Sequence, residues 1–178
     1  MTLERKIANT FALDNESWLR HANPWSVILR NTVLPALVLA FWSRLWLGLW
    51  AVIPVAFVLL WMWVNPRIFP APQSLDHWSS KAVLGERVWL NRDAVPVPEH
   101  HRIFPNLLSI VSGTGMLFVL WGVLMFDPWP ALFGMALVYC GKLWFLDRMV
   151  WLWEDMKDAN EEYRNWQIHR DEKMGDRE

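Results

Sequence analysis

Four long apolar stretches punctuate the chain, at residues 25–43, 45–64, 103–126 and 128–146, with charge-bearing segments before, between and after the two pairs. Each approaches the roughly 20 residues that a helix needs to cross a hydrocarbon core about 30 Å thick at about 1.5 Å rise per residue. The second and third contain no ionisable group. The first carries only Arg30, near its start, and the fourth is charge-free from Pro128 to Gly141, then continues past Lys142 to Leu146, before Asp147 and Arg148. Short turns, at residues 42–48 and 127–130, separate the members of each pair. The pattern predicts an all-α membrane protein built from two transmembrane helical hairpins, four spans in all. Pro35 and Pro54 fall inside spans, where each would remove a helical hydrogen bond and kink its helix. Gly113 and Gly115 would allow close packing of the third span, although they lack the GxxxG spacing.

Composition agrees with this reading. A hydrophobic content of 54%, with 15 Trp and 9 Phe against 2 Tyr in 178 residues, is poorly suited to a water-soluble domain. The net charge of −1 leaves no basic footprint for nucleic acid, and the single Cys140 cannot build a disulfide framework or a cysteine-only metal cluster.

Charge also gives the orientation. Of the 17 Lys and Arg residues, all but Arg44 fall at or before Arg30 near the start of the first span, between the second and third spans, or from Lys142 onward. The positive-inside rule therefore predicts cytoplasmic termini, a cytoplasmic central segment and two tight outer turns. Trp42, Trp46, Trp50, Trp121 and Trp129 would form an outer aromatic belt, and Trp25, Trp61, Trp63, Trp144, Trp151 and Trp153 an inner one. The charged start of the chain lacks the apolar core of a cleavable signal peptide. The expected organisation is an amphipathic cytoplasmic segment over residues 1–23, a membrane domain over 24–156 that includes cytoplasmic residues 65–102, and a charged tail over 157–178. In the first segment Leu3, Ile7, Phe11 and Trp18 lie within about 80° of one another on a helix, a stripe suited to the membrane surface. In the tail, the fourth span is expected to run on as an exposed helix.

The central segment carries most of the candidate chemistry. After the proline-punctuated residues 65–72, Ser74 or Asp76 would cap a helix running to about Arg92, where Pro96 and Pro98 stop it. Leu75, Trp78, Ala82 and Trp89 would form its apolar face, and Asp76, Ser80, Arg87 and Asn91 its polar one. Packing on the membrane surface or under the bundle would follow. Glu86, and Asp93 if the helix reaches it, project beside the apolar stripe and need partners. Arg30, Arg67, Lys142 and Arg148 could supply these as ion pairs. The other reading makes Glu86 and Asp93 metal ligands or acid–base groups, with His77, His100 or His101 nearby. No HxxxH, HExxH or ExxH spacing occurs, and adjacent His100 and His101 are expected to diverge, so the sequence assigns no metal and no cofactor. Lys142 either snorkels to the headgroups or lines a polar pocket with Asp147 and Arg148, near Tyr139 and Asn65.

Four segments resemble a family of small prokaryotic membrane proteins known only as a domain of unknown function: residues 21–26 (HANPWS), 65–70 (NPRIFP), 81–92 (KAVLGERVWLNR) and 141–151 (GKLWFLDRMVW). The resemblance spans about residues 20–156. It implies a bacterial or archaeal plasma membrane and brings no activity, substrate or cofactor.

Two functions fit these observations. The first is a non-enzymatic inner-membrane scaffold or accessory protein that binds lipid, partner helices or further copies of itself. It predicts paired charges and no cavity. The second is an enzyme or a small-molecule or metal-binding protein at the cytoplasmic interface. It predicts that some of Glu86, Asp93, His100, His101, Lys142 and Asp147 converge within about 4–6 Å. A transporter would need a polar route that the second and third spans do not supply.

Overall fold

The structure, a computed structural model, describes residues 15–168. Those residues form helices joined by turns and loops and contain no strand. Leu3, Ile7 and Phe11 of the N-terminal stripe lie outside the described residues, as do residues 169–178 of the tail. The helices are α1 (Asn15–His21), α2 (Pro24–Arg30), α3 (Val33–Trp42), the single turn α4 (Arg44–Leu47), α5 (Val52–Ile68), α6 (Trp78–Leu90), α7 (Ile103–Met125), α8 (Pro128–Met156) and α9 (Glu161–Ile168). Short 3-10 turns occupy Gly48–Ala51 and Glu99–His101.

Among the described residues three helical segments are long and apolar enough to cross a membrane: Pro24–Ile68, Glu99–Met125 and Pro128–Met156. The first is not one rod. Ser26 Oγ donates a 2.7 Å hydrogen bond to Asn65 Oδ1 across 39 residues that a straight helix would spread over roughly 58 Å. The reversal falls at Ser43–Ala51, where Gly48 adopts φ +55° and α3 folds against α5.

Pro35 and Pro54 do not fall in mid-helix, because the helix along each apolar run is interrupted just before it. Pro35 and Pro54 each occupy the third position of their helix, α3 and α5, in the first turn, where the missing N–H has no intrahelical partner to lose. The proline inside a helix is Pro66, at the end of α5.

Helices α7 and α8 form the closest pair. Gly122 lies against Ala131, Gly115 against Gly134, and Gly141 against Leu108 and Ser112, a descending order that makes the two antiparallel. A Cβ on Gly115 would lie 2.7 Å from the Gly134 carbonyl oxygen, so the backbones approach to a distance that only glycine permits. Gly113 faces open space and plays no part in this contact. Between the helices Phe126 takes a left-handed conformation, and the Asp127 side chain caps α8 by accepting from the Trp129 N–H, with Pro128 at the first helical position.

Among the described residues three buried clusters hold the chain together, the smallest being Ala22, Val27 and Val83 between the N-terminal helices and α6. Val38, Val119, Val123 and Ala131 join α3, α7 and α8. A larger cluster, with Leu84, Val88, Trp89, Val97, Met149, Leu152, Trp153, Tyr163 and Trp166, joins α6, α9 and the last turns of α8. Outside these cores the apolar segments are bare: Trp46, Leu49, Trp50, Phe57, Trp121 and Trp129 are all exposed. Apolar side chains facing hydrocarbon gain nothing from burial in protein, so this surface is what membrane helices display.

Helix α6 starts at Trp78, and its N-cap is His77, whose Nδ1 accepts from the Ser79 N–H; Ser74 instead turns the chain locally, accepting from the Asp76 N–H. The helix is not two-faced. Ser80, assigned to its polar side, is fully buried and donates to the Ala22 carbonyl, whereas Trp78 of the apolar side is exposed. Gly85 allows α6 to press on the Met149 backbone, so α6 is sandwiched between α8 and the N-terminal helices. Trp153 is no interfacial anchor, because it is buried and stacks on Trp166 at 6.2 Å. The stretch after the fourth apolar segment is likewise no exposed extension: α8 ends at Met156, and α9 brings Tyr163 and Trp166 back onto the core.

Candidate functional site

A cavity of about 230 Å³ opens where α2, α3, α6 and α8 meet. Its walls are Val27, Leu34, Val83, Val138 and Leu146, and its polar groups are Arg30, Asn31, Glu86, Tyr139 and Lys142. Each wall contributes through its own local logic. Asn23 caps α2 by accepting from the Trp25 N–H, and α2 ends at Arg30, where a cation meets the negative end of the helix dipole. Lys142 and Tyr139 lie three residues apart on α8, and Glu86 lies three beyond Val83 on α6, so each pair shares a helix face.

The charges form a defined circuit. Lys142 Nζ pairs with Glu86 Oε1 and also stands 5.1 Å from the Phe145 ring centre. Arg30 Nε donates to the Ser26 carbonyl at 3.3 Å, Nη2 donates to the His21 carbonyl at 3.0 Å, and Nη1 meets His21 Nε2. His21 is the acceptor in that last contact. Burial first, then the positive fields of Arg30, Lys142 and Arg67, push its pKa down to about 3 and keep the imidazole neutral. The Tyr139 hydroxyl donates to the Asn31 carbonyl, which α2 leaves without a helical partner. With His21 neutral, the pocket sets two cations against one carboxylate over an apolar floor. An anionic group attached to an apolar body is the ligand this arrangement suits.

The predicted site residues separate into distinct places. Glu86 and Lys142 come together as one of the ion pairs the sequence allowed. Asp93 lies exposed in the turn after α6. Asp147 pairs with Arg148 at 3.3 Å and does not line the cavity. Asn65 does not reach the cavity either; it is buried against Ser26. His100 and His101 do not diverge and do not approach Glu86: their rings lie 4.2 Å apart and both turn to Asp155. The 3-10 turn at Glu99–His101 aims both rings to one side, which the expectation for a loop did not anticipate. A closed, cavity-free face, expected of a scaffold, is not what these helices form.

Sequence reasoning passed over His21, Asp155 and the bridge from Glu154 to Lys81 and Lys157. Glu154 and Asp155 lie beside a charged tail, and a charge run reads as solvated unless a partner segment is known. The proline-bounded His100–His101 pair was the available signal for Asp155.

Among known proteins, the model of a family of unknown function, DUF6653, matches residues 2–169. No curated protein and no solved structure matches the chain.

Proposed function

We propose that this chain, which belongs to the DUF6653 family, is a four-span plasma-membrane protein of prokaryotes. In this reading it is a non-enzymatic accessory protein that holds the headgroup of an anionic lipid at the cytoplasmic interface. The observation that carries the reading is the pairing of Arg30 and Lys142 with an apolar floor in one cavity. Both cations come from the cytoplasmic ends of their apolar stretches, the depth at which headgroups lie. In this reading only the headgroup enters the cavity of about 230 Å³. The acyl chains would run over the exposed apolar flanks of the helices.

Three observations favour four spans with both turns on one side. The segment Pro24–Ile68 doubles back at Gly48. Arg44 in that turn donates to the carbonyls of Val123 and Leu124 beside the other turn, so the two turns lie together. Trp46, Trp50, Trp121 and Trp129 are exposed at the same end, as an interfacial belt requires. The termini and residues 65–102 would then share the cytoplasmic side.

Native mass spectrometry of the full chain in mild detergent tests the function. One anionic phospholipid retained per chain, in preference to phosphatidylcholine and reduced by Val138→Trp in the cavity wall, is the expected result. Equal retention of both lipids, unaffected by Val138→Trp, would overturn it.

A further inference from the structure

Roughly 20 Å along α8 from Lys142, thirteen residues at helical rise, a second group of side chains converges. His100 Nε2 and His101 Nε2 lie 3.3 Å and 2.8 Å from the same oxygen, Asp155 Oδ2. Among the described residues these three are the group whose donor atoms, one from each, all fall within 4.8 Å of one another. We propose that His100, His101 and Asp155 form a three-ligand site for a divalent transition-metal ion of the zinc class.

The donor set suits such an ion. Two imidazoles and one carboxylate are the borderline ligands that zinc takes, and three protein ligands leave a fourth position for water. A tetrahedral ion with bonds of about 2.0–2.1 Å holds its ligand atoms roughly 3.3 Å apart. The two distances to Asp155 Oδ2 are near that edge, so an ion could enter with sub-ångström adjustments at those two contacts.

The site is also held in place from both sides. Pro96 and Pro98 restrict the connecting loop, and Val97 between them is buried in the α6–α8–α9 core while its carbonyl accepts from Arg102 Nε at 3.2 Å. His101, 6% exposed, is fixed against the protein, whereas the side chains of His100 and Asp155 are 69% and 50% exposed. One ligand is thus anchored and two face solvent, which provides an entry path and an open coordination position. Glu154, the neighbouring carboxylate, is held by Lys81 and Lys157 and does not compete for the same space.

A hydrogen-bonded clasp between the 3-10 turn and α8 would use the same contacts without a metal, and the experiment separates the two. The full chain in detergent, stripped with a chelator, is titrated with Zn2+ alone by calorimetry and with Co2+ by visible absorption. The expected result is one Zn2+ per chain and the absorption of a four-coordinate cobalt site. Affinity should fall more than about tenfold in His100→Ala and in Asp155→Asn, since losing even an outer partner of a metal ligand costs that much. It should be unchanged in His77→Ala. His100 is exposed, so its variant is expected to keep the apo thermal midpoint and to decide the matter even if Asp155→Asn is unstable. No saturable binding by the wild type, or binding undiminished in His100→Ala, would overturn the proposal.

Discussion

The Arg44 guanidinium stacks on the Phe126 ring, 4.0 Å from its centre, while Nη2 donates to the Val123 and Leu124 carbonyls at 2.7 and 3.1 Å. This one interaction explains why a single cation sits apart from the other sixteen: it caps the C-terminus of α7 and ties the first turn to the second. Arg44→Ala should lower stability by about 1–2 kcal/mol, combining a cation–π contact with a charge at a helix C-terminus. Arg44→Lys should retain part of that. Thermal unfolding in detergent is the measurement.

The Ser26–Asn65 hydrogen bond is fully buried. Ser26→Ala strands the Asn65 carbonyl and should cost about 1–3 kcal/mol. Adding Asn65→Leu to that variant should restore part of the loss, because replacing both partners removes the stranded polar group. A double variant less stable than Ser26→Ala alone would show that the pair does not act through this bond.

Close packing of α7 on α8 gives a third expectation. Gly115→Val would drive a side chain into the Gly134 backbone and should destabilise by several kcal/mol, more than the ~1–3 typical of overpacking in a deformable core. Gly113→Val, facing open space, should leave the thermal midpoint close to that of the wild type.

His21 predicts the pH response. Its pKa is pushed down from 6.5 to about 3 in the folded chain, by burial and then by Arg30, Lys142 and Arg67, so the unfolded chain takes up the proton first as pH falls. The contribution is intact above about pH 6.5 and diminishes as pH falls from there toward 3. The thermal midpoint should therefore drop between pH 7.5 and 5.5, and by less in His21→Gln, which can still accept from Arg30 without titrating.

The sequence disclosed the helical class and the apolar stretches because those rest on runs of side chains that need no partner to be read. The Lys142–Glu86 pair was legible for a related reason, since a carboxylate beside an apolar stripe must find a cation. What escaped was set by tertiary packing. Ser80 reads as polar and solvated until Ala22 offers it a carbonyl, and Tyr163 and Trp166 look stranded in a charged tail until Trp153 provides a surface. Pro35 and Pro54 read as kinks because helix starts within a continuous apolar run carry no sequence mark. His100 and His101 read as divergent because nothing in the sequence marks the 3-10 turn that aligns them, which follows Val97, a residue buried among α6, α8 and α9.

If Arg30 and Lys142 attract an anionic headgroup against the opposing charge of Glu86, changing one charge at a time will reveal it. Binding of anionic phospholipid to the chain in neutral nanodiscs is measured for the wild type, Lys142→Gln and Glu86→Gln, with folding checked by the thermal midpoint. Removing the cation should weaken binding several-fold, and removing the carboxylate should strengthen it while lowering stability. Shifts in the same direction for both variants, or none in either, would rule out a headgroup held by this charge balance.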